Sequence, residues 1–260
     1  MYLSPFDAPP HIVIKYIMTS DFIFKTNRTI SSAFIDSSVR LGIAQAILLV
    51  QDNLTECFGA MGCDGVVYRE KLNAFWVFTK TRVHFIRRPN WREKITASTF
   101  PVNNAGMRTH INTIFTDSDG KTLLTANQEA CVLSLENHRP LRLTTLPYPT
   151  ENFPAPVFEE PFEKFPKIIL DEHFVYEQKI RSQHIDMSHH MNNIEYIKLA
   201  LNVFDDAFLQ KNEVKDLEVH YTGESTEGQN LAIFRHTEGN ATFIAIQESD
   251  RYVFEMKIQF

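Results

Sequence analysis

Glycine is scarce in this chain, with nine in 260 residues, and no pair of glycines forms a GxGxxG or GxxxxGK pattern. Phosphate-binding loops need closely spaced glycines, so a nucleotide-binding fold of that kind is disfavoured. Long apolar runs are also missing, since the longest lies around Ile47 to Val50, and no membrane span is expected. An excess of positive charge is absent too: the formal charge is −6, which argues against general nucleic-acid binding.

Cysteine occurs only at Cys57, Cys63 and Cys131, an odd number without CxxC spacing. This usage disfavours a disulfide scaffold or a structural zinc site and indicates a reducing compartment. The N-terminus shows neither a secretion signal nor an Arg-rich transit peptide. We therefore expect a cytoplasmic protein, of bacterial origin. A hydrophobic fraction of 43% with 21 phenylalanines indicates a folded chain with a wide apolar interior.

Proline marks the main seam of the chain. Seven of the twelve prolines lie between Pro140 and Pro166, and proline fixes φ and lacks an amide donor, so this stretch should be an extended linker. The seam predicts an N-terminal unit over 1–136, a linker over 137–168 and a C-terminal unit over 169–260.

The two units are related in sequence. An offset of 150 positions, without gaps, gives eight identities in the 26 positions from Phe24 to Leu49. Ordinary composition would give about one or two, so a tandem duplication is the better explanation. Among the identities, Ile35 and Asp36 align with Ile185 and Asp186.

The sequence pattern of each copy predicts one helix and an antiparallel sheet. A first strand and a polar turn precede a helix, and alternating apolar and polar residues then indicate further strands. In the second copy one apolar helical face steps by three and four, through Ile194, Ile197, Leu201, Phe204 and Phe208. Such a helix must bury its face against the sheet. The predicted fold class is α+β, as two such units in tandem.

The most informative segment precedes the second helix. Polar side chains crowd there: Asp186, Ser188, His189, His190, Asn192 and Asn193. The start of a helix offers unpaired amides and partial positive charge, which suit a developing oxyanion. His190 is a candidate proton carrier that Asp186 would orient.

Two other interpretations of this segment remain open. Asn192, Ser188 or Asp186 would cap the helix in a purely structural turn. A metal site would use His184, Asp186, His189 and His190, although no HxxxH or HExxH spacing supports it. The first copy keeps Asp36 and Ser38 but has Arg40 at the position of His190. This asymmetry favours chemistry in the C-terminal copy.

The segment from Asp186 to Tyr196 resembles the D-x-N-x-H-V-N-N-x-x-Y signature of acyl-acyl-carrier-protein (acyl-ACP) thioesterases, a plant and bacterial family with two hotdog folds in tandem. Further stretches resemble that family in order along the chain: Trp76-Val77-Phe78, Arg88-Pro89-Asn90-Trp91, Thr99-Phe100, Arg139-Pro140-Leu141-Arg142-Leu143 and His220-Tyr221-Thr222-Gly223-Glu224-Ser225. The resemblance implies two tandem hotdog folds, each a long helix packed on an antiparallel sheet. It also implies hydrolysis of fatty acyl-ACP without a metal or organic cofactor.

The resemblance places the family's Asp, His and Glu on Asp186, His190 and Glu224. Ser188 stands at the family's Asn and Ser225 at its Cys, so direct attack by water is expected rather than attack by a thiolate. Ser188 or Asn192 would supply the missing donor, and either Glu224 or Asp186 would activate the water. Substrate-binding roles are expected for Asn192 and Asn193 and, in an apolar slot, for Trp76, Phe78 and Phe100.

One stretch of the sequence is strongly basic, although the chain as a whole carries a negative net charge. Between positions 80 and 94 the net charge is +5, from Lys80, Arg82, Arg87, Arg88, Arg92 and Lys94 with Glu93 as the one acid. The stretch is interpreted as a docking surface for an acidic carrier protein or for coenzyme A. A solvated edge strand would show the same charges.

Three classes of function therefore compete. The first is an acyl-ACP thioesterase that acts on its carrier-protein partner as a monomer or homodimer. The second is another hotdog enzyme, such as an acyl-CoA thioesterase or a hydratase. The third is an acyl-binding protein without catalysis, because Ser188 departs from the family signature.

Overall fold

A computed structural model describes residues 22–166 and 173–260. The strands in those ranges are β1 Phe24–Thr29, β2 Ala74–Phe85, β3 Lys94–Pro101, β4 Arg108–Thr116, β5 Thr122–Ser134, β6 Phe174–Lys179, β7 Asp216–Tyr221, β8 Asn230–Glu238, β9 Ala241–Glu248 and β10 Arg251–Gln259. The α-helices are α1 Ile43–Ala60, α2 Gly65–Leu72, α3 Asn193–Leu201 and α4 Asp206–Lys211, and the 3-10 helices are Ser32–Phe34, Leu143–Thr145 and Ser182–His184. This content confirms the predicted α+β class.

The strands form one antiparallel sheet in the order β1-β3-β4-β5-β2-β7-β10-β9-β8-β6. The two copies meet at its centre, where β2 pairs with β7 from Lys80↔His220 to His84↔Asp216. The halves of the sheet are therefore joined by backbone hydrogen bonds as well as by the linker. Among the described helices, none has the length and apolar character needed to span a bilayer.

The offset of 150 found in the sequence recurs in the structure. β1 and β6 begin at Phe24 and Phe174, and each is followed by a 3-10 helix and then by α1 or α3. The structure departs from the predicted second helix, because α3 ends at Leu201 and α4 begins after Asp205. The Asp205 carboxylate accepts a hydrogen bond from the Phe208 amide at 2.7 Å, and such a cap starts a new helix.

Two large apolar clusters and a third small one, around Phe234 and Ala245, fill the interior of the described residues. Of the two large clusters, the larger one spans both copies and includes residues of α1, α3 and the central strands. The smaller one lies in the first copy, around Phe58, Tyr68 and Tyr148. Buried Asn53 of α1 lies between Leu54 of the smaller cluster and Val50 of the larger; its side chain donates to Thr99 at 2.6 Å.

The proline-rich segment crosses the charged face of the sheet. The Val157 amide donates to Asn112 of β4 at 2.7 Å, and the Phe162 ring stacks on His110 with 5.8 Å between centroids. Arg82 of β2 donates to the carbonyl of Pro161 at 2.5 Å. These contacts fix the predicted linker, whose described part ends at residue 166, against strands of the first copy.

Candidate active site

The turn before α3 is built by Asp186. Its carboxylate accepts the Ser188 amide at 2.8 Å, and its own amide donates to the His190 carbonyl at 3.0 Å. His189 adopts φ 63° at the tip. The Asn192 side chain accepts the Ile194 amide at 2.9 Å, as a helix N-cap does. Asp186 and Asn192 thus hold the backbone of the turn, which is the capping role left open by the sequence.

A cavity of about 330 Å³ lies beside this turn and opens between the two copies. The second copy lines it with Asp186, Ser188, His190, Met191, Asn193, Tyr196 and Tyr221 to Glu224, and the first copy with Gln51 and Phe75 to Phe78. His190 Nε2 lies 3.4 Å from Glu224 Oε2, and both side chains are partly exposed. The cavity therefore combines an imidazole, a carboxylate and an apolar wall.

Most of the predicted site residues meet at this cavity. Asp186, Ser188, His190, Glu224, Asn193, Trp76 and Phe78 line it. Asn192 instead caps α3. Phe100 is buried on β3 and is not among the described residues that line this cavity, so its role as a wall residue stays a prediction.

A β-bulge turns Trp76 and Phe78 toward the interior. The register of β2 on β5 shifts between Phe78 and Lys80, which reverses the alternation of faces along the strand. Both side chains consequently pack against the smaller apolar cluster while lining the cavity. Sequence reasoning missed Gln51, a polar residue of α1 that faces the cavity, because its role depends on how the two copies meet.

None of the three cysteines is suited to act as a thiolate nucleophile. Burial raises the pKa of Cys57 to about 12, and burial also raises the pKa of Cys63 and Cys131. Ser225 is fully buried and is not among the described residues that line the cavity. Burial raises the pKa of Tyr196, although the hydroxyl and amide of Ser225 oppose the shift. The Tyr196 phenol therefore stays protonated at neutral pH.

The equivalent place in the first copy holds an ion pair. The Leu41 amide donates to Pro89 there, as the Met191 amide donates to Ser225 in the second copy, each at 2.8 Å. Arg88, which precedes Pro89, therefore stands where the second copy has Glu224. Its guanidinium pairs with Asp36, the counterpart of Asp186.

Arg40, the counterpart of His190, pairs with Glu213 of the second copy. The Arg88 side chain is only 1% exposed, so the expected docking role of Arg88 is wrong. Its burial follows from the pairing with Asp36, a residue 52 positions away in sequence. In the first copy, two paired arginines, Arg40 and Arg88, therefore occupy the positions that hold the imidazole of His190 and the carboxylate of Glu224 in the second copy.

The other cations of the basic stretch do not form one surface. Arg82 pairs with Glu218 at 2.6 Å and is largely covered, and Lys80 lies 5.4 Å from the centroid of the Phe162 ring. Arg87 pairs with Glu93 at 2.6 Å. Arg92 lies 4.3 Å over the Trp91 ring. Lys80 and Arg82 contact the linker, whereas the docking roles of Arg87 and Arg92 stay predictions.

The described residues contain no group of three or more His, Cys, Asp or Glu side chains arranged to hold a metal ion.

Two family models match the sequence: the acyl-ACP thioesterase N-terminal domain over residues 21–145 and the acyl-ACP thioesterase C-terminal domain over residues 169–259. The chain belongs to the acyl-ACP thioesterase family. It is therefore a thioester hydrolase built from two hotdog folds.

Solved structures agree with this thioesterase in fold. It is similar to an acyl-ACP thioesterase from Bacteroides thetaiotaomicron, with a TM-score of 0.80 and 20% identity over 92% of this chain and 97% of the other. It is also similar to a 12:0-ACP thioesterase from Umbellularia californica, with a TM-score of 0.79 and 15% identity over 91% and 96%. No curated protein sequence matches the chain.

Proposed function

We propose that this thioesterase cleaves fatty acyl-ACP by direct attack of water on the thioester carbonyl, in the cavity beside His190 and Glu224. The observation that carries the proposal is the 3.4 Å approach of His190 Nε2 to Glu224 Oε2 in a cavity with an apolar wall. A carboxylate next to an imidazole can move a proton between them during a reaction.

Glu224 is the proposed general base. Asp186 accepts the Ser188 amide and lies 3.5 Å from the Asn192 side-chain nitrogen, so its carboxylate is occupied in the turn. Glu224 takes a proton from water, and the oxygen of that water forms a bond to the carbonyl carbon. The resulting oxyanion is stabilised by the positive end of α3 and by His190.

Collapse of the tetrahedral intermediate breaks the bond between carbon and sulfur. The leaving thiolate of the carrier arm takes up a proton from His190, and Glu224 returns its proton to the imidazole. The products are a free fatty acid and the carrier thiol. Water as the nucleophile is supported by the buried position of Ser225 and by the raised pKa of the three cysteines.

The proposed partner is the acyl carrier protein, with Arg87 and Arg92 as the remaining candidates for its docking. A monomer suffices, because β2 and β7 already join the two copies, and a homodimer is the other state proposed. The proposed location is the cytoplasm, which is supported by the three free cysteines, because reducing compartments keep thiols free. The proposed role in fatty acid biosynthesis rests on the acyl-ACP substrate of the family.

The test is thiol release from acyl-ACP and acyl-CoA donors by His190→Ala and Glu224→Gln. Loss of a proton-transfer group lowers kcat by about 10²–10⁴-fold, and we expect this for both variants. His189→Asn and Glu227→Gln are matched controls, since both residues are outside the described cavity lining. We expect the controls to keep wild-type rates.

Three results would contradict the proposal. Wild-type protein that releases no thiol from any donor would leave only acyl binding. Activity that survives in His190→Ala and Glu224→Gln would move the reaction to other residues. Equal cleavage of coenzyme A esters would assign the acyl-CoA thioesterase alternative instead of a carrier-specific enzyme.

A further inference from the structure

Trp76 separates the catalytic cavity from the interior of the first copy. Its side chain lines the cavity and also packs against the smaller apolar cluster. An acyl chain that enters beside His190 and runs into the first copy therefore meets the indole ring. Phe78 lies next to it on the same face of β2 and borders the same two spaces.

The indole is held in place from several sides. Its N–H donates to the Cys63 carbonyl at 2.7 Å. Tyr68 stacks on it with 5.3 Å between ring centroids and an interplanar angle of 17°, and Phe58 lies at 4.5 Å. A ring with a hydrogen bond and two aromatic neighbours is fixed in one orientation, so it does not swing aside for a ligand.

The proline-rich segment supplies the last part of this wall. Tyr148 is 3% exposed, its hydroxyl lies 2.7 Å from the Thr109 hydroxyl, and its ring meets Trp76 edge-on at 5.5 Å. Phe58 contacts Tyr148 in the same way at 6.2 Å. The space behind Trp76 is thus filled by three aromatic rings, one each from α1, α2 and the linker.

The volume that remains is small. Sites for small molecules commonly span about 300–1,000 Å³, and this cavity, at about 330 Å³, lies at the lower end. It must hold the thioester and the adjoining part of the carrier arm as well as the acyl chain. Among the described residues of the smaller apolar cluster, only Trp76 and Phe78 line the cavity, so the cavity ends at these two rings.

We propose that Trp76, held by Tyr68, Phe58 and Tyr148, ends the acyl slot and makes this enzyme selective for short acyl chains. This inference rests on the proposed function, since it takes the cavity as the place where the acyl group lies. It assigns specificity to two groups, the indole of Trp76 and the linker ring of Tyr148.

The test compares kcat/KM for butyryl-, octanoyl- and palmitoyl-ACP. Wild-type enzyme should prefer the two shorter donors to palmitoyl-ACP by at least about tenfold, as expected for a chain that a closed pocket excludes. Trp76→Leu removes the ring but keeps an apolar side chain, and it should raise the palmitoyl-to-butyryl ratio by about tenfold or more. Trp91→Leu is the matched control, because this exposed tryptophan lies outside the described cavity lining, and its ratio should equal that of wild type.

Tyr148→Ala opens the same wall from the linker and keeps the proposal testable if Trp76→Leu does not fold. It should shift the ratio in the same direction. A wild-type preference for palmitoyl-ACP, or an unchanged ratio in the folded variants, would overturn the proposal.

Calorimetric binding of octanoate and palmitate separates the two possible failures. If no donor is cleaved, the proposed function fails, but the slot still predicts that octanoate binds and palmitate does not. Palmitate binding as tightly as octanoate would overturn the short slot whether or not the protein is active.

Discussion

At the scale of single residues, Asp186 and Asp36 make the same hydrogen bond to the backbone of their turns but have different neighbours. Each carboxylate accepts the amide of the serine two positions later, at 2.8 Å for Asp186 and 2.9 Å for Asp36. Asp36 also pairs with Arg88, whereas Asp186 lies in a cavity with His190 and Glu224. A shared aspartate is therefore a sign of the turn, and the residues around it decide whether chemistry follows.

The role of Asp186 can be tested by two substitutions. An asparagine oxygen accepts the Ser188 amide as a carboxylate oxygen does, so Asp186→Asn should keep kcat within about tenfold of wild type, since a lost general base costs about 10²-fold or more. Asp186→Ala removes the acceptor and should lower both kcat and the midpoint of thermal unfolding. Initial rates and thermal melts give the result. An Asp186→Asn variant as inactive as Glu224→Gln would make Asp186 the base.

Several residues of the site could be predicted from the sequence, and others could not. Asp186, His190 and Glu224 carried the signature and do meet at one cavity. The burial of Arg88 was invisible, because its partner Asp36 is remote in sequence. Charge counts along a chain cannot show which cations are paired across it.

At the scale of elements, strand β2 contributes to the cavity, to the pairing between the two copies and to the attachment of the linker. Its first half lines the cavity, and its second half pairs with β7 and holds the linker through Arg82. The bulge after Phe78 depends on the partner strand β5, so the residues of β2 alone could not place it. The pattern of residues on β3 likewise does not say what lies above each face, so the sequence could not show what surrounds the buried Phe100 side chain.

A buried ionic network on β7 should make the sheet sensitive to acid. Burial alone would raise the pKa of Glu218, but hydrogen bonds from His220 and Arg82 outweigh it and hold the pKa below the usual 4.5. A carboxylate with a depressed folded-state pKa stabilises the protein above its unfolded-state pKa, and this stabilisation is lost as the pH falls through the folded value.

Glu218→Gln should therefore lower the free energy of unfolding at neutral pH by about 2 kcal/mol, the value of a hydrogen bond to a charged group. The difference from wild type should shrink as the pH falls below about 4.5. Urea unfolding at neutral and acidic pH measures it. Glu227→Gln, at an exposed turn, is the control and should match wild type at both. A difference that persists in acid would mean that packing, not charge, stabilises this part of the sheet.

At the scale of the whole molecule, the first-copy turn that corresponds to the candidate active site forms polar contacts with the second copy. Arg40 pairs with Glu213, and Gln210 donates to the Ser37 hydroxyl at 3.1 Å. Arg88 Nε lies 3.9 Å from Glu213. The first copy's turn thus packs against the α4 region of the second, while the second copy's turn leaves its cavity open.

The contribution of these polar contacts can be measured through Glu213. Its side chain is half exposed, and exposed ion pairs contribute about 0.2–1 kcal/mol, so Glu213→Gln should lower the free energy of unfolding by that amount. The loss should vanish in about 1 M salt, where the screening length is about 3 Å. Chemical unfolding at low and high salt checks this. An effect that is independent of salt would contradict an ionic contribution.

The cavity takes its reactive groups from one copy and its apolar wall from the other. The proposed mechanism therefore predicts that a substitution at the wall alters which acid is released and leaves the groups proposed to break the thioester bond unchanged. A substitution in the second copy acts the other way. The proposed reaction and the proposed choice of product thus rest on different copies of one chain, so each should be open to change by substitution without loss of the other.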